Sequence, residues 1–349
     1  MSDSEPTSQP SGGIPNPFWN REERRLRAGW RLLLQAILFV LLLGILQVTI
    51  VLVLAALPGG FDPSELGAFA SPLLLAAGAV ASLIAMVLSL LVAARLLDRR
   101  PLPDYGFHLG PRWWADLGFG LALGALLMAG LFLVEWLAGW VVVAGTFRTA
   151  GPGVDFAAGI IASLIAFICV GFYEEMFARG YQLRNLAEGL NLRRVSARTA
   201  LLLAWAASSA IFGLLHAFNP NSTPLSTLNL MLVGLFLGLG FLLTGELAIP
   251  IGLHISWNFF QGNVFGFPVS GGAAGPSFLA SQQGGPDLIT GGAFGPEAGL
   301  LGLLSSLVGA LLIWLWVRYR YGEARLQTDL AEYEPQGRRP AEGGGDQAA

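Results

Sequence analysis

Long apolar stretches follow one another along the chain, separated by short polar segments. A helix needs about 20 apolar residues to cross the hydrocarbon core of a bilayer. Windows of about that length lie near residues 32–57, 68–94, 117–145, 156–180, 199–217, 226–244, 247–265 and 298–317. The pattern therefore predicts an all-α fold, a polytopic membrane helix bundle of about eight transmembrane helices.

The composition agrees with a membrane protein. The 349 residues are 54% hydrophobic and only 12% charged, whereas soluble domains carry roughly 25% charged residues. The first window is too long for the apolar part of a cleavable signal peptide, so it predicts a retained span. Net charge is −3, which gives no indication of nucleic-acid binding. The single cysteine, Cys169, excludes both an intrachain disulfide and a cysteine-based metal site.

Arginine placement predicts the orientation, because cytoplasmic loops carry the excess of positive charge. All 20 basic residues are arginines. If the N-terminus is inside and each window crosses once, every arginine except Arg148 falls on the cytoplasmic side. We therefore expect both termini in the cytoplasm and an integral multi-pass protein, in the plasma membrane if the source is bacterial.

The chain divides into few parts. Residues 1–30 form a polar cytoplasmic segment, and residues 31–318 form the transmembrane domain. Within that domain, residues 266–297 are rich in Gly and Pro and predict an extracytoplasmic loop. Residues 319–349 are polar and predict a disordered cytoplasmic tail. We find no sequence repeat and no second domain.

Ionisable residues inside apolar helices are costly and mark functional sites. Glu174, His216 and His254 lie on three separate predicted helices, and keeping all three is costly unless they converge. Residues four apart share a helix face, which pairs Glu175 with Arg179, Phe212 with His216, and His254 with Asn258. Glu174 is rotated about 100° from Glu175 and is left free to face a cavity, where a partly desolvated carboxylate suits a general base.

The signatures of other intramembrane proteases are missing from these helices. Neither His216 nor His254 is followed by Glu, so the zinc motif HExxH is absent, and so is GxSG. A GxGD sequence occurs once, at residues 343–346, in the polar tail where no membrane site can form.

Three short motifs remain, in order, on successive hydrophobic helices: EEMFARG from Glu174, FGLLH from Phe212 and HISWN from His254. This arrangement resembles the CPBP family of intramembrane endopeptidases, also called the CAAX protease and bacteriocin-processing or Abi family. The resemblance covers roughly residues 155–265. The chain departs from the family pattern at Ala178, because an aromatic residue usually precedes the arginine there.

The resemblance implies roles for these residues. Glu174 would activate a water as general base with the help of His216, while His254 and Asn258 would hold the oxyanion. Glu175 and Arg179 would brace the site, with Phe212 as further structural support. General-base and oxyanion groups are what peptide hydrolysis requires.

A metal-dependent mechanism stays open at this point. One Glu and two His, here Glu174, His216 and His254, match the ligands of a catalytic zinc site. Spacing favours the metal-free alternative, because His254 shares a helix face with Asn258 and Asn is a poor zinc ligand.

The resemblance implies a membrane-associated protein or peptide as substrate, cut in CAAX-type or leader-peptide processing. Two other classes also fit a polytopic bundle: a secondary transporter, which often shows inverted repeats, and a non-catalytic scaffold or immunity protein. Distances among the four predicted catalytic side chains discriminate these classes, since hydrolysis requires them to cluster.

Depth in the membrane raises a difficulty for that clustering. Glu174 falls near the predicted cytoplasmic end of the fourth window, whereas His216 falls near the outer end of the fifth. Convergence therefore requires the fifth helix to start deeper, tilt or break.

Overall fold

The computed structural model describes residues 16–56, 72–151 and 155–333. The helices are α1 (Ala28–Ala56), α2 (Pro72–Val92), α3 (Pro111–Leu137), α4 (Phe156–Glu175), α5 (Arg184–Leu190), α6 (Ala197–Leu215), α7 (Pro224–Thr244), α8 (Ala248–Phe259), α9 (Asp287–Thr290) and α10 (Leu300–Tyr321). Two antiparallel pairs of strands accompany them: β1 (Trp19–Asn20) with β2 (Arg25–Leu26), and β3 (Val141–Arg148) with β4 (Ser277–Gln283).

Within the described residues, seven helices are long and apolar enough to cross a membrane. The remaining predicted window holds α8, which has only 12 residues and continues as a π-helical turn over Phe260–Val264. The prediction of an all-α, polytopic membrane bundle is confirmed, and the protein is an integral multi-pass membrane protein.

The fourth helix is longer than its window predicted. After α4, a π-helical segment (Met176–Leu183) joins it without interruption to α5, so the span runs over Phe156–Leu190. The predicted end near residue 180 is wrong because Arg179 and Glu188 are buried and paired. Charges with partners inside the protein do not have to end a helix.

The third predicted window, residues 117–145, also extends past the end of its helix. Its helix ends at Leu137, and Gly139 takes a left-handed φ of 73°, a conformation that favours glycine and stops helices. The valines that follow suit a strand, and they form β3. Its partner β4 lies inside the predicted loop 266–297.

The C-terminal segment is ordered as far as it is described. α10 ends at Tyr321, and Leu330 and Ala331 are buried against the bundle. The backbone N–H of Gln327 donates to the carbonyl of Leu242 at 2.9 Å. The predicted disordered tail was placed from residue 319 onwards, but residues 319–333 are ordered, because two apolar side chains dock against the bundle there. Residues 334–349 lie outside the described part.

Helix α8 lies at the centre of the bundle, and residues Ala248 to Asn258 are all buried. It packs very closely against α3. A Cβ added at Gly252 would lie 2.4 Å from the carbonyl oxygen of Leu117, and one at Gly120 would lie 2.5 Å from that of Ile249. So close an approach is possible only because these positions are glycines, as in other close helix pairs of membrane proteins.

The bundle has two distinct ends. The first, here called the terminal end, comprises the β1–β2 hairpin and residues 99–110, 191–196, 245–247 and 322–333, which contact one another through backbone and side-chain hydrogen bonds. The second, here called the loop end, comprises the described residues of 138–155, together with 216–223 and 265–299. α4 and α6 run between these ends in opposite directions.

Candidate active site

Glu174 lies near the middle of the long fourth span. It lies 18 positions after Phe156 and 16 positions before Leu190, which correspond to about 27 Å and 24 Å of helix. His216 directly follows the last residue of α6, about 28 Å from the start of that helix at Ala197. Glu174 and His216 therefore lie at similar depths. The predicted difference in depth came from placing the end of the fourth membrane helix too early, and the fifth predicted helix needs no correction.

The carboxylate of Glu174 faces both membrane histidines. Its Oε2 atom lies 3.8 Å from His254 Nε2 and 4.0 Å from His216 Nε2. These distances exceed a direct hydrogen bond but are within reach through one bridging water. The hydroxyl of Tyr173 donates to the other oxygen, Oε1, at 3.1 Å. About a fifth of the Glu174 side chain, 19%, is accessible.

Glu175 has a different set of partners. Its Oε1 atom accepts a hydrogen bond from Arg179 Nη1 at 2.8 Å and lies 2.8 Å from His254 Nδ1. The predicted Glu175–Arg179 pair is thus present, but the contact with His254 was missed. Spacing along one helix reports only neighbours on that helix, so no signal in the sequence could have shown it.

Arg179 is tied to two further elements. Its Nη2 donates to the carbonyl of Gly234 on α7 at 2.8 Å, and its guanidinium lies 4.7 Å from the ring centroid of Phe212 on α6. Arg179 is 1% exposed. A single side chain on the fourth span therefore holds α6 and α7 in place around the glutamates.

His216 is oriented by its own helix. Its Nδ1 lies 2.8 Å from the carbonyl oxygen of Phe212, one turn earlier, and the two rings lie 4.7 Å apart. Since a carbonyl can only accept, Nδ1 donates this hydrogen bond, and Nε2 is left facing Glu174.

A cavity of about 30 Å³ adjoins these residues, enough for a water molecule. His216, His254 and Asn258 line it, together with Ser270 and Glu297, which sequence reasoning did not single out. Its apolar wall comes from α7 and α8: Leu230, Val233, Phe236, Leu237 and Trp257.

Glu297 is fixed at the edge of this cavity. Its Oε1 accepts from the backbone N–H of Ser270 at 2.6 Å, and its Oε2 accepts from Gln261 Nε2. Burial raises the pKa of this carboxyl group to about 7. Glu297 lies in the loop before α10, where neither helical spacing nor a motif marks it.

The predicted zinc ligands do not fit a metal ion as they are placed. A tetrahedral zinc with bonds of about 2.1 Å holds its ligand atoms about 3.4 Å apart, closer than the distances from Glu174 Oε2 to either histidine. Among the residues that the structure describes, no group of three or more His, Cys, Asp or Glu side chains could hold a metal ion.

Comparison with known families shows one similarity. Residues 156–260 match the family model of the type II CAAX prenyl endopeptidase Rce1-like proteins. The similarity covers less than a third of the chain. No curated protein and no solved structure matches the chain.

The matched region begins with α4 and ends just after α8. It includes Glu174, His216, His254 and Asn258, and it relates the chain to CAAX-type membrane proteases. Ser270 and Glu297 lie outside it. At Ala178, where the chain departs from the CPBP pattern, the residue is buried and its carbonyl accepts from Ser208 Oγ at 2.7 Å, so α6 packs directly against the π-helical segment.

Proposed function

We propose that the protein is an intramembrane endopeptidase that hydrolyses a peptide bond of a membrane-associated protein or peptide by means of a water activated by Glu174. The observation that carries this proposal is the convergence of Glu174 Oε2 with Nε2 of both His216 and His254, at 4.0 Å and 3.8 Å. A water between these atoms would have the polar partners that general-base activation needs.

The surroundings of each group support a division of roles. Glu174 takes the proton of the water as it attacks the carbonyl carbon, and His216 Nε2 accepts a hydrogen bond from the same water. The proton on Glu174 then passes to the nitrogen of the leaving amine. The water supplies the oxygen of the new carboxyl group, so the step balances without a further reactant.

His254 and Asn258 line the cavity together with His216 and serve the developing oxyanion. Because the carboxylate of Glu175 can only accept, His254 Nδ1 carries a proton. Its Nε2 donates to the oxyanion when the ring is an imidazolium, and the side-chain amide of Asn258 supplies a second donor. Preorganised donors of this kind are typically the largest electrostatic contribution to acyl transfer.

The similarity to Rce1-like proteins and the four catalytic candidates favour a peptidase over a transporter or a scaffold. A scaffold would have no need to hold Glu174 within one-water reach of two histidines. Two substrate classes are consistent with the site: a CAAX-type tail and a leader peptide.

The first test is Glu174→Gln. Gln keeps the shape of the side chain but cannot accept a proton, so we expect peptidase activity to fall by a factor of about 10² to 10⁴. The variant should still insert and fold. Activity is measured by comparing new protein N-termini in membranes that contain the wild type or the variant.

The matched control is Glu135→Gln, another buried glutamate of a membrane helix. Glu135 Oε2 accepts from Gln283 Nε2 at 2.8 Å, an acceptor role that an amide oxygen fulfils equally well. This variant should cleave normally. Full cleavage by Glu174→Gln would refute the assignment of the base.

A further inference from the structure

A tight turn, Val269 to Gly272, lies at the loop end beside the cavity. The N–H of Gly272 donates to the carbonyl of Val269 at 2.8 Å, and the two residues pair as an antiparallel bridge. Both central residues have left-handed backbones, with φ of 48° at Ser270 and 82° at Gly271. Two positive φ values in succession are typical of a type I′ turn, whose first central position favours asparagine, aspartate or glycine. A serine at that position is unusual.

The backbone of Ser270 is held in this conformation by its neighbours. Its N–H donates to Glu297 Oε1 at 2.6 Å, and its carbonyl accepts from Asn219 Nδ2 at 2.9 Å. A left-handed backbone costs free energy at most residues with a side chain, and it is found where surrounding contacts enforce it, often at functional sites. Glycine would adopt it without strain. What serine adds at this position is therefore its hydroxyl group.

The hydroxyl group of Ser270 is oriented by Glu297. It forms a hydrogen bond with the same carboxylate that accepts the backbone N–H of Ser270. Because a carboxylate can only accept, the hydrogen of the hydroxyl points to Glu297, and the lone pairs of Ser270 Oγ are left for another donor. Among the described residues, none donates a hydrogen bond to that oxygen.

The turn is also tied to the helix that carries two of the predicted catalytic groups. Glu297 Oε2 accepts from Gln261 Nε2, and Gln261 Oε1 accepts from Trp257 Nε1 at 2.9 Å. Trp257 lies on α8, directly before Asn258. This chain of side chains fixes the position of Ser270 relative to α8.

The cavity brings Ser270 together with the proposed oxyanion donors. Ser270, His254 and Asn258 line the same space of about 30 Å³, which holds little more than a water molecule. The two donors serve a carbonyl oxygen in the proposed reaction, but a peptide also presents N–H groups. An N–H left without an acceptor in a buried site costs free energy. Among the described residues that line the cavity, Ser270 alone carries a hydroxyl group.

We propose that Ser270 is a substrate-binding residue, whose Oγ accepts a hydrogen bond from a backbone N–H of the peptide in the cavity, and that Glu297 is its positioning residue. The inference rests on the proposed peptidase function. Both residues lie outside the matched region 156–260. The ligand is a polypeptide with an unsubstituted N–H at the position that meets Ser270, so proline or an N-methylated residue is disfavoured there.

The probe is a synthetic peptide that spans one cleavage site found with the wild type and lost with Glu174→Gln. A set of copies carries one N-methyl group each, at successive backbone nitrogens around the scissile bond. Each copy lacks one N–H donor. Values of kcat/KM are measured with purified protein in detergent, for the wild type and for Ser270→Ala, which keeps the Cβ and the backbone but lacks the hydroxyl group.

We expect Ser270→Ala to cleave the unmodified peptide about 10-fold more slowly, as for one lost hydrogen bond. One N-methylated position should be cleaved poorly by the wild type, and its penalty relative to the unmodified peptide should shrink by about 10-fold in Ser270→Ala, because the two changes remove the same contact. Wild-type rates, or penalties that do not depend on Ser270, would overturn the proposal.

The matched control is Ser277→Ala. Ser277 is a buried serine of β4 whose hydroxyl has no hydrogen-bond partner among the described residues, and it does not line the cavity. This variant should show the wild-type rates and the wild-type pattern of penalties.

Ser270→Gly separates binding from stability. Glycine relieves the left-handed strain, so the temperature of thermal unfolding should be no lower than in the wild type, while the rate should fall as in Ser270→Ala. A residue that only shaped the turn would not lose activity on this change. If Ser270→Ala does not fold, Ser270→Gly takes its place in the N-methyl comparison.

The positioning role is tested by combining substitutions. Glu297→Ala should lower kcat/KM, and adding Ser270→Ala should lower it no further, because Glu297 acts through that hydroxyl. Additive losses would contradict this role. If Glu297→Ala does not fold, Asn219→Ala, which removes the other tether of the turn, replaces it.

Failure of this inference differs from failure of the peptidase function. Normal cleavage that depends on Glu174 but not on Ser270 would contradict the substrate-binding role alone. A complete lack of cleavage that depends on Glu174 would contradict the peptidase function, and this inference with it.

Discussion

Glu174 and Glu175 are neighbours in the chain but have different surroundings. Glu175 is completely buried, and its Oε1 is shared by Arg179 and His254. Glu174 remains partly accessible and faces the Nε2 atoms of both histidines. One carboxylate is thus occupied in positioning a histidine and an arginine, which leaves the other free for proton transfer.

Whether the site binds a metal ion depends on the same side chains, Glu174 and the two histidines. If the placement of Glu174, His216 and His254 is that of a metal-free site, purified protein should contain far less than one equivalent of zinc, and chelation should leave activity intact. His254→Ala should then reduce the rate by a factor of about 10² to 10³, as for a lost oxyanion donor. Stoichiometric zinc that disappears in His254→Ala would contradict this prediction.

At this scale the sequence allowed part of the site to be predicted. The pairing of Glu175 with Arg179 follows from their helical spacing and is confirmed by the structure. The contact between Glu175 and His254 joins two helices that are far apart in the chain, which spacing cannot report. Ser270 and Glu297 enter the cavity from a loop whose path depends on side-chain contacts with Asn219 and Gln261.

Among the elements, the position of α8 determines where His254 and Asn258 lie. This helix has no room to move towards α3, because Gly120, Gly124 and Gly252 bring the two backbones into direct contact. Ser256 also takes part, since its Oγ lies 3.4 Å from the carbonyl oxygen of Gly120 on α3. The site's geometry therefore depends on glycines that are not in it.

Gly252→Ala should separate the two helices. The added methyl group would lie 2.4 Å from a backbone oxygen of α3 that cannot give way. We expect a loss of stability of about 1–3 kcal/mol from overpacking and a fall in rate of up to about 10²-fold from misplaced groups. Thermal unfolding and cleavage assays in detergent measure both.

The control for this substitution is Gly130→Ala in α3, where no atom lies within 4 Å of the added Cβ. It should be neutral or slightly stabilising, because alanine favours a helix. Equal losses in both variants would mean that the close approach of α3 and α8 does not determine activity.

Hydropathy located the membrane elements well but not their ends. It reports the length of apolar sequence, and seven of the eight windows correspond to helices long enough to span. It could not distinguish the valine-rich β3 from a helix, since both are apolar. Nor could it extend the fourth helix to Leu190. A hydropathy window counts every charged residue as polar, including those whose charge is paired and buried inside the protein.

For the whole molecule, the arginine cluster at the terminal end connects distant parts of the chain. Glu188 of α5 binds arginines of the N-terminal hairpin, of α1 and of the segment after α2. Arg31 also contacts Asp98 at 2.9 Å. Removing one charge from a buried cluster leaves the opposite charges less fully compensated, which is far more costly than losing an exposed ion pair.

Glu188→Ala should therefore reduce the folded yield and lower the free energy of unfolding by about 3–5 kcal/mol. Glu323→Ala is its control, since the ion pair of Glu323 with Arg325 is largely exposed. We expect little change there. A Glu188→Ala protein with the thermal stability of the wild type would show that the cluster does not hold the bundle together.

The short, enclosed α8 has a consequence for how the protein is assembled. Twelve residues extend about 18 Å, less than the roughly 30 Å of the hydrocarbon core, and the helix offers almost no surface to lipid. We therefore expect the nascent chain to insert its other spans first and to take up α8 only as α3, α4 and α7 close around it. His254 would then reach Glu174 at the last stage of assembly, so a half-made or misassembled chain would lack the proposed catalytic site.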